Sequence, residues 1–514
     1  MPVSLRTGFR RAAAVPADAM GDLGLEVDLD NLTLDPFGGI VFSYIQQFEL
    51  LAIRVLCQEK PLSTAPLSRL GGKGRFICMD PRQVGPGPGG KTFVGFGLGP
   101  IQSALFLYEA RRCGAFSRLL AVEVDAELVS AVRRGGGRYT VNIARLRGIE
   151  GFTVEGVEAR NPLEAEDRRR ILEAIRDSDE LCTALPSVEF YARGEEASPA
   201  RLIARGLSQR ESPLPTVIYT AENHNRAAEL LLSCLEPQLA PAARQNLQVL
   251  NTVIGKMSGV ITSADTIRRL RLEPFTPDCG RAVLVEEFNR ILIDRIRLPG
   301  YRRGIGVFVE KEDLLPFAEA KLYGHNAVHA LIAYLAELKG YRTIAEAGGD
   351  RALMETASRA FIEESGAALV RRHRSLGDPL FTPRGFQEHA EDLLARMVNP
   401  FLDDRVERVG RDPRRKLGLQ DRLFGAMVLA LEEGIRPRYL ARGAAACLLF
   451  WLRHEPERAS LGLPLPETAA QLSREGLEAL LFALWAGGRG AETWGRELVA
   501  LTWAALEELK GQAG

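Results

Sequence analysis

From residue 91 the chain alternates short apolar, β-rich runs with helical stretches: "KTFVGFGLG", "RLLAVEVD", "FTVEGVEA", "ELCTALP", "PTVIYTAEN" and "NLQVLNTVIGKMSGVI". Such alternation marks βαβ units, in which a largely parallel sheet is buried beneath the helices that connect its strands. It places an α/β domain over residues 91–282. From about residue 283 the strand signals fade, and the rest has helical periodicity broken by Gly and Pro, as in "GDPLFTPRGFQEHAEDLLARMVNP". The expected fold class is therefore α/β plus all-α, with an all-helical domain over 283–514. Residues 1–90 form an N-terminal extension of unassigned role. It has one helical stretch, "FSYIQQFELLAIRVLCQEK", and the Pro/Gly tract "DPRQVGPGPGGK", which reads as a linker or exposed loop.

Charge excludes some partners. Lys plus Arg and Asp plus Glu both number 66, so no global field recruits nucleic acid or an anionic membrane, and a small or locally charged substrate fits better. The seven cysteines are scattered without a CxxC pair, which argues against a disulfide framework and a thiolate metal site and for a reducing cytoplasm. Arg6, Arg10 and Arg11 are followed by no apolar segment, and no apolar run approaches the length of about 18 residues that a span requires. Neither a signal peptide nor a membrane span is expected.

The first βα unit, "TFVGFGLGPIQSALFLYEARRCG", has the order strand, tight Gly turn, helix. Gly97 allows the turn. Gly99 lets the backbone approach a pyrophosphate seated on the helix that Pro100 and Ile101 open. The next strand ends in Glu123 and Asp125, where a carboxylate accepts adenosine ribose hydroxyls and repels a 2'-phosphate, so NAD is expected over NADP. The third position of the GxGxxG pattern holds Gln102. That position serves helix-to-strand packing, and its change implies a slightly displaced helix more than a lost phosphate site.

A second feature lies in "AKLYGHNAVHALIAYLAELKG", residues 320–340, whose second half is apolar while its first half carries Lys321, His325, Asn326 and His329. At about 100° per residue, His325 lies about 40°, His329 about 80° and Asn326 about 140° around an α-helix from Lys321. All four can face one cleft, although an ordinary helix start with a solvated lysine and half-buried histidines has the same composition. Oxidising a secondary alcohol requires a base for the hydroxyl proton, donors for the developing alkoxide and a hydride acceptor. A lysine acts as that base where burial or a nearby cation lowers its pKa.

The K-x4-N-x2-H pattern of Lys321, Asn326 and His329 stands with "YTAENHNRAAELL", "VEEFNRILIDR" and "NPFLDDRVERVGRDPRRKLGLQDRL". Together, over roughly residues 90–510, they resemble the mannitol dehydrogenase family of polyol-specific long-chain dehydrogenases. The resemblance implies a Rossmann-like NAD-binding domain, a helical substrate domain and metal-independent hydride transfer between a polyol phosphate and a ketose phosphate, with mannitol 1-phosphate and fructose 6-phosphate the expected pair. It matches Lys321 to the general base, Asn326 and Asn223 to the amides that hold the reacting oxygen, and His329 to the residue orienting the substrate hydroxyl. His325 lies outside the pattern and is read first as packing. Glu319 is open between a proton relay and a solvated first-turn glutamate.

In "VERVGRDPRRKLGLQDR", Arg408, Arg411, Arg415 and Lys416 are candidate substrate contacts, since guanidinium forks suit phosphate. No aromatic residues interleave with the run, which argues against nucleic acid. The sequence departs from the family at Gln102, in the residue 1–90 extension, and at "IGKMSGVI", where the family has Asp-Arg-Ile-Val-Pro. There Lys256 stands in for the arginine, while Gly255 cannot replace the aspartate. An unphosphorylated polyol or a uronate as substrate, or a drifted protein that binds a sugar phosphate with little turnover, remain the alternatives. The chain is expected to be a monomer or small homo-oligomer.

Overall fold

The computed structural model describes residues 90–211, 214–288, 290–454, 471–486, 488 and 490–512. It also describes two short antiparallel strands, Leu32–Leu34 and Ile40–Phe42. The chain divides into two compact units, Met1–Cys78 and Met79–Gly514. Apart from those two strands, the first unit, with most of the helix expected there, lies outside the described residues, as does the Pro/Gly tract up to residue 89.

In the second unit an eight-stranded sheet runs in the order Phe308–Lys311, Ile291–Asp294, Leu247–Val253, Thr216–Thr220, Glu180–Thr183, Lys91–Phe96, Phe116–Val122, Val157–Arg160. All its pairings are parallel except that between Leu247–Val253 and Ile291–Asp294. Strand Lys91–Phe96 is buried along nearly its whole length, as expected of a central parallel strand covered on both faces. Helices Ala165–Arg176, Pro199–Ser208 and Ala227–Leu235 pack one face. The other face packs against the helix that follows Gly99 and a four-stranded sheet, ordered Ser258–Ile261, Ala282–Glu286, Tyr139–Arg145, Gly148–Val154. Among the described residues no helix is long and apolar enough to cross a membrane.

The boundary expected at residue 282 cuts through strand Ala282–Glu286, and two further strands follow at Ile291–Asp294 and Phe308–Lys311. These runs are four or five residues long and are separated by "EFNR" and "RIRLPGYRRGIGV", so no alternation extends far enough to be read. Beyond Lys311 the described elements are helical. Helix Ala327–Leu338 is buried on almost every side and forms the axis of this helical part, whose core is one large apolar cluster. A bidentate ion pair ties helix Pro383–Met397 to the sheet: Arg396 Nε and Nη2 donate to Glu286 Oε2 (2.8 Å) and Oε1 (2.7 Å), and Nη2 also reaches the Gly255 carbonyl (2.8 Å).

Gln102 shows how the altered glycine loop is accommodated. Its side chain is fully buried and packs against Gly95 of strand Lys91–Phe96, where a Cβ would lie 2.5 Å from Gln102 Cδ. The small residue that permits close helix-to-strand packing has moved from the helix to the strand. The helix absorbs the change with a π turn over Gln102–Phe106 before continuing as Leu107–Arg112. Gly95→Ala is expected to cost about 1–3 kcal/mol of unfolding free energy, because the buried Gln102 amide must shift to admit the methyl group. Adding Gln102→Ala should recover most of that loss in a denaturant titration; an additive second loss would contradict this packing.

Candidate active site

The eight-stranded sheet reverses its connection order at strand Lys91–Phe96, whose neighbours are Glu180–Thr183 on one side and Phe116–Val122 on the other. At the carboxyl ends of these strands lies a pocket of about 500 Å3 lined by Gly97, Gly99, Pro100, Ile101, Glu123 and Asp125, among others. This is where a doubly wound sheet places a dinucleotide. Gly97 has φ +86°, its N–H donates to the Val122 carbonyl (2.8 Å), and a Cβ there would meet the Ala184 carbonyl oxygen at 2.8 Å. Only glycine fits. Nothing lies within 4 Å of a Cβ built at Gly99, so the backbone is open to a close ligand.

The two acidic residues at the second strand's end differ in role. Glu123 accepts the Leu98 N–H (2.8 Å) and the Asp125 N–H (3.0 Å), which shapes the glycine loop and leaves about half of its acceptor capacity facing the pocket. Asp125 caps helix Ala126–Arg134 by accepting the Glu127 and Leu128 N–H groups, and its other oxygen is paired with Arg281 at 2.6 Å. The hydrogen-bonded Arg281 holds its carboxyl below the usual range. Asp125 is thus engaged in structure, and Glu123 is the carboxylate with capacity to spare.

Ile101 and Ala221 line both this pocket and an adjoining cleft of about 400 Å3. Lys321, His325, Asn326 and His329 face that cleft from one helix and Asn223 from the loop after strand Thr216–Thr220, so the constellation expected from sequence is brought together. Segment Ala320–Asn326 is a π turn within a helix running over residues 315–338. Its i to i+5 bonding brings Asn326 closer above Lys321 than the 140° of an α-helix. Gly324 permits the turn to pack on Phe361, whose ring would lie 2.8 Å from a Cβ there.

Lys321 Nζ donates to Asn223 Oδ1 at 3.0 Å. Burial, and after it the charge of Arg422, push the lysine down to about 8. His325 is buried and held well below the ordinary imidazole range by burial and then by the charges of His329, Arg396 and Lys321, so it is neutral and packs behind the site. His329 Nε2 lies 2.8 Å from Asp404 Oδ2, close but off the line that a hydrogen bond requires. Burial pushes the Asp404 carboxyl up, but His329 and Arg408 together outweigh it and hold it below its usual range. Glu319 does not enter the cleft: it pairs with His373 at 2.7 Å, which removes the relay reading. Lys256 lines the cleft, but its ammonium donates to the backbone carbonyls of Glu286 (2.5 Å) and Phe288 (2.9 Å).

The basic run separates into unlike residues. Arg408 lines the cleft, with Nε (3.1 Å) and Nη2 (2.6 Å) both on Asp404 Oδ1. Arg411 is exposed and borders a neighbouring recess with Arg405 and Arg408. Arg415 donates to Asp421 (3.0 Å) and lines a recess on the opposite side, shared with Asn223 and Lys321. Lys416 is buried over the Tyr334 ring at 6.0 Å and is not among the lining residues, contrary to its expected place. Asp404 and Arg422 were not singled out from sequence. Both lie within the "NPFLDDRVERVGRDPRRKLGLQDRL" segment, where the pairs Asp403-Asp404 and Asp421-Arg422 are the available signal.

A dinucleotide-type pocket opening onto a polar cleft is the architecture of a nicotinamide-dependent dehydrogenase. Residues 313–476 match the model of the mannitol dehydrogenase C-terminal domain. Mannitol-1-phosphate 5-dehydrogenase of Shouchella clausii (strain KSM-K16) is 30% identical over 345 residues, 66% of this chain and 84% of that protein. The enzyme of the same name from Brevibacillus brevis is 29% identical over 381 residues, covering 73% and 90%. Two solved structures share the fold. D-sorbitol dehydrogenase in substrate-free form has a TM-score of 0.64 at 14% identity, covering 84% of this chain and 95% of that one. The ternary complex of Pseudomonas fluorescens mannitol 2-dehydrogenase with NAD and D-mannitol has a TM-score of 0.58 at 15% identity, covering 82% and 92%. The chain belongs to the mannitol dehydrogenase family and is an oxidoreductase of that family.

Proposed function

We propose that the protein is an NAD-dependent polyol phosphate dehydrogenase that interconverts mannitol 1-phosphate and fructose 6-phosphate, with Lys321 as general base. The observation that carries this reading is the Lys321–Asn223 hydrogen bond, made in the cleft that adjoins the dinucleotide pocket by a lysine pushed down to about 8. The names of the relatives supply the substrate.

NAD fits the residues present: the open backbone at Gly99 and the helix opened by Pro100 and Ile101 suit the pyrophosphate, and the remaining acceptor capacity of Glu123 suits the ribose hydroxyls. When bound, it takes up the hydride released from the alcohol carbon. In alcohol oxidation neutral Lys321 Nζ accepts the hydroxyl proton as the C–H bond breaks, giving the ketone and a lysine ammonium. Asn223 offers its amide oxygen to Lys321, which turns its NH2 group toward the reacting oxygen, and Asn326 supplies a second amide from the same wall. His329, held beside Asp404, orients the substrate hydroxyl, and Arg408 contacts the chain beyond it.

Purified protein given NADH should reduce fructose 6-phosphate in preference to fructose. A wild type that prefers free fructose or mannitol is a plain polyol dehydrogenase instead. Lys321→Ala should lower kcat for mannitol 1-phosphate oxidation by at least roughly 100-fold with NADH binding barely changed; near-normal turnover would remove the assigned base. Because Glu123 repels a 2'-phosphate, kcat/KM with NADH should exceed that with NADPH by at least about tenfold. Equal use of the two would mean that another residue reads the ribose.

A further inference from the structure

One cation in the cleft makes no hydrogen bond to the groups assigned to the proton or the reacting hydroxyl. Arg422 lies just before helix Phe424–Glu432 and lines both the Lys321 cleft and the recess beside it. Its side chain is only 13% exposed. Its backbone N–H and its Nε both donate to Asp421 Oδ1, at 2.7 and 2.9 Å, which fixes one edge of the guanidinium. Among the described residues its two terminal nitrogens have no hydrogen-bond partner.

Arg422 has one carboxylate partner among the described residues and shares it: Asp421 Oδ2 also takes Arg415 Nη1 at 3.0 Å, while Arg415 has a second, longer contact to the exposed Asp412 at 3.8 Å. Arg422 also acts on Lys321 and Lys416, disfavouring the ammonium form of each. Clustered, part-desolvated cations of this kind are unfavourable until an anion joins them. Arg408, by contrast, already has Nε and Nη2 on Asp404, and Arg411 is exposed at the rim of the outer recess.

We propose that Arg422 is the residue that selects a phosphorylated substrate: its free Nη edge takes two phosphate oxygens as a fork, while Asp421, braced by Arg415, holds that fork in position. This rests on the polyol phosphate reading. In fructose 6-phosphate the phosphate and the reacting carbonyl stand at opposite ends of the chain. Its receptor must therefore share the cleft with Lys321 without bonding to the groups at the reacting oxygen. Arg422 meets that condition, since its hydrogen bonds go to Asp421 and not to Lys321, Asn223 or Asn326. A bidentate, charge-assisted contact gives discrimination as well as affinity, because the unphosphorylated ketose never makes it.

The full-length protein and its Arg422→Gln and Arg422→Lys variants are compared with NADH, using fructose 6-phosphate and fructose as alternative substrates and thermal unfolding as a check on folding. Arg422→Gln should lower the ratio of kcat/KM for fructose 6-phosphate to that for fructose by about 30-fold or more, mainly through KM for the phosphate ester; its effect on Lys321 falls on both substrates alike and cancels in that ratio. Arg422→Lys should fall between, keeping the charge but losing the fork. Inorganic phosphate should compete with fructose 6-phosphate in the wild type and lose that effect in Arg422→Gln. Equal losses for both substrates, or a selective loss in Arg408→Gln or Arg411→Gln but not in Arg422→Gln, would overturn the assignment. A wild type that favours fructose would instead refute the polyol phosphate reading itself, and this assignment with it.

Discussion

A half-buried lysine ammonium facing a guanidinium is unfavourable, and several parts of this structure hold Lys321 in that position. Burial alone disfavours the charged form; Arg422 adds repulsion, and Asn223 Oδ1 at 3.0 Å keeps the amine pointed into the cleft. The result is an amine that is part neutral near physiological pH, which an ordinary surface lysine is not. The neighbouring groups do not undo this. His325 is neutral, Asp404 is engaged by His329 and Arg408, and Glu319 is drawn away to His373. Glu222, next to Asn223, accepts from Tyr191, Thr183 and Leu185, and burial pushes its carboxyl up, so it braces the loop without offering Lys321 a counter-ion.

Two scaffolds must meet for that pair to form. Asn223 follows a strand of the parallel sheet, while Lys321 belongs to the first long helix beyond it. The Glu286–Arg396 pair, with Arg396 stacked over Phe288 at 3.7 Å from its centroid, fixes the four-stranded sheet, which packs on the parallel one, against helix Pro383–Met397. Lys256 caps the carbonyls of Glu286 and Phe288 in the same region. The departure at "IGKMSGVI" is therefore absorbed into an interlocking polar contact and leaves the lysine site intact.

Where local chemistry determined the outcome, it could be read in the sequence. Gly97 must be glycine for steric reasons, the strand-turn-helix order around it is short-range, and Lys321, Asn326 and His329 follow one another along a single helix. Features made by tertiary pairing were not legible. Strand Tyr139–Arg145 pairs with Ala282–Glu286, far away in the chain, as well as with its neighbour Gly148–Val154, and Phe308–Lys311 is four residues added to the sheet edge at Ile291–Asp294. The Asp404–His329 and Arg422–Lys321 relationships join one helix to loop residues far along the chain, and no spacing rule records them. The π turn at Ala320–Asn326 has no periodic signature of its own, so a helical wheel misplaced Asn326 while grouping it correctly. Gln102 looked like a defect in the glycine loop because its compensation, Gly95, lies in the preceding strand.

The central claim is that Lys321 is a base with a lowered pKa, and the pH dependence of turnover tests it most directly. Oxidation needs the neutral amine, so kcat should rise with pH and level off through an inflection near 8. Reduction needs the ammonium, so its kcat should fall through the same inflection. Removing the neighbouring charge with Arg422→Gln should move both inflections upward together. Profiles that stay flat from about pH 6.5 to 9.5, or that turn only near the value of about 10.4 of an ordinary lysine, would contradict the account.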